Sequence, residues 1–291
     1  MNISKPTASA LSITVILAIA LFRAAAASHA QTPAPSQSGQ PELMTVFVIG
    51  DQTGTELLTK HGIQPLTVDD LDILINAVLQ GATPVRLFYQ EVVEDAANSP
   101  IATLVFQPYE GGQPPKAPSP GLPLSQLVKA MEVYRNDRAK WQKGILDYRA
   151  VLVAGIEQFI RGVVATQAET SERFDKMLAA RNGRDFDRSD VLGCVIAANK
   201  ALGTAGRRVL VFNTDADDQP AKRKPRKTML TPEQLDPKIE LIFTNTSHVP
   251  EQAPMFHGIP NPVHHADSMK EAMEMISGFL GVSGTGLSES H

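Results

Sequence analysis

The chain has 291 residues, 43% hydrophobic and 20% charged, which supports a globular core of one large domain or two ordinary ones and excludes wholesale disorder. Lys and Arg total 27 against 31 Asp and Glu, a formal charge of −4, so no nucleic-acid partner is expected, because neutralising phosphates needs a basic face. One cysteine, Cys194, excludes an intramolecular disulfide and any cysteine-cluster metal site, and a single Trp with 5% aromatics speaks against a carbohydrate-stacking surface.

In chain order, Lys5 precedes an apolar run over 10–22, then Arg23 and an alanine-rich stretch ending Ser28-His29-Ala30. A basic start, about a dozen apolar residues and small residues at −3 and −1 are the parts of a secretory signal over 1–30. The run is shorter than the ~20 residues that span a bilayer. The alternative is an uncleaved anchor, and membrane contact is expected only in that case. Residues 31–43 read as a polar, Pro-containing tether. The chain is therefore expected to be exported, periplasmic or secreted, and the absence of disulfides suits a bacterial periplasm.

Proline placement divides the remainder. All 21 prolines lie outside 124–219, as long helices require. Before that gap, 44–50 (MTVFVIG) is a continuous apolar run, the pattern of a strand buried on both faces, and Asp51-Gln-Thr-Gly-Thr55 follows as its turn. Residues 68–79 carry a helical apolar face with acids in the first turn. Residues 85–93 and 101–106 read as an antiparallel hairpin. After a Pro/Gly linker, 124–181 is strongly helical. Leu127, Met131, Tyr134, Trp141, Ile145, Tyr148, Leu152, Ile156, Phe159 and Val163 keep mostly three- and four-residue steps, the seam of a coiled coil or helical hairpin. Gly144, Gly155 and Gly162 are places where it could break, and oligomerisation through this stretch is one expectation. A helix over 190–202, strands over 208–212 and 239–243, a helix over 266–280 and a tail over 283–291 complete the pattern. Strands alternating with helices, plus one hairpin, give an α/β fold: a three-layer, Rossmann-like, mostly parallel sheet with one antiparallel edge strand.

Ligands of such sheets bind beyond the carboxyl ends of the strands, at the switch in strand order. Three polar groups fall at these ends: Asp51, Thr53 and Thr55; Ser189 with Asp190; and Asp215 with Asp217 and Asp218. Carboxylate, hydroxyl and water oxygens suit octahedral magnesium or manganese.

At these residues the chain resembles the von Willebrand factor A domain family. Its metal-ion-dependent adhesion site has Asp-x-Ser-x-Ser after the first strand, a Thr on a second loop and an Asp after the fourth strand. Asp51-Gln52-Thr53-Gly54-Thr55 matches the first element with both serines replaced by threonines, Ser189 takes the second-loop position, and Asp215 in Val-Leu-Val-Phe-Asn-Thr-Asp matches the last. The resemblance covers about 44–108 and 186–280. It implies a vWA-like domain formed by 44–123 and 182–282, with 124–181 as a long helical insertion. It also implies a divalent cation held by Asp51, Thr53, Thr55, Ser189 and Asp215, and a protein partner lending an Asp or Glu carboxylate to the ion rather than an enzyme's substrate. A structural alternative makes the helical arm the working part.

Asp51-Gln-Thr-Gly-Thr is also similar to the phosphorylated Asp-Lys-Thr-Gly-Thr of P-type ATPases, in the haloacid-dehalogenase-like superfamily, which implies a magnesium-dependent phosphohydrolase with Asp51 as nucleophile. Gln52 replaces the lysine, and Thr53 stands where a phosphatase keeps its second acid.

The remaining candidates are weaker. Cys194 reads as a buried helical side chain, and the adjacent His264 and His265 face two ways. Lys222–Lys227 is the only basic cluster, near the Asp215 edge, where it could attract an anionic partner.

Overall fold

Seven consecutive residues, Met44–Gly50 (β1), are all buried, because the strand pairs on both sides and is covered on both faces. The computed structural model describes residues 43–51, 64–80, 83–93, 96, 99–180, 190–214, 230–244 and 254–281, with backbone only for 173–175 and 177–180. The chain divides after Gln40, and all described residues belong to the unit Pro41–His291. The signal and tether over 1–42, Thr53, Thr55, Ser189, Asp215, Asp217, Asp218, the basic cluster 222–227 and the tail over 283–291 lie outside the described residues.

After β1 come α1 (Val68–Gln80), β2 (Val85–Glu91), β3 (Ile101–Phe106), α2 (Leu124–Ala180), α3 (Val191–Leu202), β4 (Arg207–Asn213), β5 (Glu240–Phe243), β6 (Val263–His265) and α4 (Met269–Phe279). The strands form one sheet in the order β3-β2-β1-β4-β5-β6, parallel throughout except for the antiparallel β2–β3 pair. The α/β class, the mostly parallel sheet and the hairpin are those the sequence predicts. β6 is an addition; its three residues are too few to show a period.

Side-chain alternation sorts the core into two layers. Val46, Val48, Leu87, Val209, Val211 and Ile242 face α1, α4 and the middle of α2. Phe47, Ile49, Leu210, Phe212, Leu241 and Phe243 face α3 and the segments around Leu235 and Phe256. There Phe212 stacks on Phe243 with ring centroids 4.5 Å apart, and Phe256 meets both rings edge-on. Cys194 is wholly buried in this layer, as predicted. His264 sits beside Glu240 and the Phe279 ring, whereas His265 lies towards Phe243 on the opposite face.

The stretch read as a coiled coil or helical hairpin is one continuous helix of 57 residues that passes through Gly144, Gly155 and Gly162 unbroken. At 1.5 Å per residue it is about 85 Å long. Its stripe from Leu152 to Val163 is spent on its own domain: Leu152, Ile156, Phe159 and Val163 pack into the core with α1 and β2. Fully burying one such side chain contributes about 1.5–3 kcal/mol. Arg149 adds a fork, with Nη2 on both oxygens of Asp72 at 2.8 and 2.6 Å and Nη1 on Asn76 at 2.6 Å. Upstream, the linker runs back along the helix: the Tyr148 hydroxyl donates to the Gln107 carbonyl, and Trp141 Nε1 donates to that of Gly112. Among the described residues no helix is long and apolar enough to cross a membrane.

Because the stripe belongs to the core, Ile156→Ala is expected to lower unfolding free energy in urea by about 2–5 kcal/mol. Leu124, 77% exposed at the helix start, should change it by less than about 0.5 kcal/mol when replaced by Ala. Equal small effects would show that α2 is an appendage.

Candidate functional site

Strand order reverses at β1: the chain leaves it for β2 on one side and returns through β4 on the other. The crevice beyond the carboxyl ends of β1 and β4 is therefore the switch point, where ligands of open α/β sheets bind. Register fills it. Gly50 is level with Glu91 on β2 and with Asn213 on β4, so the residues just beyond each strand meet at one edge.

Asp51, the one residue of the predicted ligand set among those described, lies in this crevice and is fully buried. Its amide donates to the Asn213 carbonyl at 3.1 Å, prolonging the β1–β4 ladder by one rung. Its Oδ2 accepts the Thr214 hydroxyl at 3.2 Å. Asn213 in turn is fixed from two sides: its Nδ2 donates to the Gln64 carbonyl at 2.8 Å, and its Oδ1 accepts the Thr244 hydroxyl at 2.8 Å. The edge thus presents carboxylate, hydroxyl and amide oxygens, which are hard donors of the kind magnesium and manganese take. Among the described residues, no group of three His, Cys, Asp or Glu gathers in a way that could hold a metal ion.

A second buried carboxylate stands on the β2 side. Glu91 Oε2 accepts the Tyr89 hydroxyl at 2.5 Å and Gln167 Nε2 at 3.2 Å, and the same Nε2 donates to the Tyr89 oxygen at 2.8 Å. Gly50 makes room for this arrangement, since a Cβ there would stand 2.1 Å from the Tyr89 oxygen. Burial first, then the Glu91 charge and its hydrogen bond, with a smaller contribution from Asp51, push the Tyr89 hydroxyl well above the ordinary phenol range.

Asp190 is a structural residue at the same edge. It caps α3, with Oδ1 accepting from the Gly193 amide at 2.9 Å, while its own amide donates to the Val93 carbonyl at 3.0 Å and Oδ2 accepts from Ala96. A Cβ at Gly193 would stand 2.2 Å from that carboxylate, so glycine permits the approach. The cap of α3 is therefore Asp190, one residue beyond Ser189. Tyr89 and Glu91, two apart on β2, share a face by simple alternation, but Gln167 is a partner 76 residues away that no local pattern shows. Compared with known proteins, the chain matches no family model and no curated sequence.

Tyr89 gives a pH signature. A phenol whose folded pKa is raised keeps its proton after the unfolded chain has lost it, so its stabilisation holds below about pH 10 and is lost as pH rises through the folded value. Tyr89→Phe should cost about 1 kcal/mol at neutral pH, from the lost hydrogen bonds, and show a shallower loss of stability above pH ~10 than wild type in urea titrations. Parallel alkaline slopes would contradict the assignment.

Proposed function

We propose that this chain is an exported, vWA-like protein-binding module that engages its partner through a divalent cation at the carboxyl edge of the sheet. The observation that carries the reading is the position of Asp51: wholly buried, at the switch point between β1 and β4, with a hydroxyl on its carboxylate. The strand order, with its single antiparallel edge pair, supports the finer fold assignment. In this reading Asp51, Thr53, Thr55, Ser189 and Asp215 would hold magnesium or manganese, directly or through water. The ion's remaining position would accept an Asp or Glu carboxylate from the partner, because a hard cation favours an anionic oxygen. The chain's part is to bury Asp51 and orient it through Thr214 and the Asn213 carbonyl.

An ion that binds only the folded state stabilises it by RT ln(1 + [L]/Kd), about 2.7 kcal/mol at a hundredfold excess over Kd. Manganese should therefore raise the melting temperature of the wild type and leave that of Asp51→Ala unchanged. Equal shifts in both proteins would discard the site.

The proposal of export rests on Lys5, the apolar run over 10–22 and Ser28-His29-Ala30. Protein recovered from its producing cell should begin at or near Gln31 on N-terminal sequencing. Intact Met1 in the membrane fraction would mark an anchor instead.

A further inference from the structure

We infer that helix α2 is coupled to the carboxyl edge of the sheet through Gln167, so that replacing or occupying the Asp51 carboxylate and the seating of the helix on Tyr89 and Glu91 affect each other. The metal-dependent part of the test rests on the proposed cation site; the coupling itself does not.

Gln167 reaches the edge from the docked face of α2. It lies one turn beyond Val163, the last core residue of the α2 stripe, so the packing that docks the helix also delivers this side chain to the sheet edge. There its Nε2 donates to the Tyr89 oxygen at 2.8 Å and to Glu91 Oε2 at 3.2 Å. Tyr89 donates to that same oxygen at 2.5 Å, so the helix and the phenol share one carboxylate oxygen as acceptor. The phenol oxygen in turn rests against Gly50, where a Cβ would stand 2.1 Å away, and Gly50 is the residue before Asp51. Among the described residues, Tyr89 and Gly50 thus lie between the helix side chain and Asp51.

Physical continuity makes the coupling a charge effect carried by a buried network. Asp51 and Glu91 are both buried at adjacent strand ends, where water screens charge less than at the surface, and the Asp51 charge reaches the Tyr89 hydroxyl that lies on Glu91. Neutralising Asp51, by substitution or by a bound cation, alters the field on the oxygen that Tyr89 and Gln167 share. The hydrogen bonds of Gln167 then change strength, and with them the docking of α2. Coupling of this kind is reciprocal: releasing Gln167 must alter the Asp51 edge by the same factor.

The test is a double-mutant cycle on the full chain, read by urea unfolding without added metal, with Asp51→Asn, Gln167→Leu and both together. The expected result is a departure from additivity of threefold or more in the unfolding equilibrium constant. The control pair, Asp51→Asn with Arg149→Ala, should be additive, because Arg149 anchors the same helix to Asp72 and Asn76, away from the edge. Gln167→Asn, which keeps the amide but withdraws it by one methylene, replaces Gln167→Leu if that variant does not fold. In a second measurement manganese alone is the probe. It should slow amide exchange over residues 160–170 in the wild type, and this slowing should vanish in Gln167→Leu while the rise in melting temperature persists. Additivity within 1.5-fold in both pairs, or equal slowing in wild type and Gln167→Leu, overturns the coupling. Absence of any manganese effect on wild-type melting overturns the cation site instead, and the metal-free cycle then decides the coupling alone.

Discussion

In a parallel sheet all carboxyl ends lie on one side, and the register of β1 with its two neighbours decides what gathers there. Met44 is level with Val85 and with Arg207, and the same row spacing brings Gly50 level with Glu91 and Asn213. A slip of one residue would turn every side chain of β1 to the other face and put Phe47 and Ile49 among the residues that meet α1. The fully buried β1 and the nearly fully buried β4 resist such a slip, since both faces of each strand are packed. The placement of Asp51, Thr214 and Glu91 at one edge thus follows from core packing rather than from any attraction among the polar groups themselves.

Helix α2 extends that constraint beyond the sheet. Its stripe closes the core over β2 and the edge strand β3, and one turn later the same face supplies Gln167 to the site edge. Upstream, the face continues as Tyr148 and Trp141, met by the returning linker. One heptad-like pattern therefore serves three neighbours in turn: the linker, the core and the polar edge. Burying Leu152, Ile156, Phe159 and Val163 contributes several kcal/mol by area alone, more than the half-exposed Arg149–Asp72 fork, so apolar packing sets the helix position and the fork trims it.

Much of this architecture is legible in the sequence, for reasons particular elements make plain. β1 and β4 are uninterrupted apolar runs, the form a doubly covered strand takes, and α1 and α4 show amphipathic faces of ordinary length. The 57-residue helix was legible as helix, but periodicity cannot tell whether a stripe meets a second helix, another chain or its own domain. Gly144, Gly155 and Gly162 suggest breaks only because the sequence does not show the core packing of Leu152, Ile156, Phe159 and Val163 that seats the helix. At the edge, Asp51 could be found because it follows a strand, whereas the Tyr89–Glu91–Gln167 contacts arise from register and from a helix docking far along the chain. Asp190 was in view, yet its part as the cap of α3 and the tie to the hairpin depends on geometry that spacing alone does not fix.

The proposed cation site requires a divalent ion between the carboxyl ends of β1 and β4. A crystal of the full chain soaked in manganese, read by anomalous scattering, is the direct measurement. The account predicts one strong peak bonded to the Asp51 carboxylate or one water away from it, on the side of Thr214. Anomalous density elsewhere with none at Asp51, under conditions where manganese is in large excess, would contradict it.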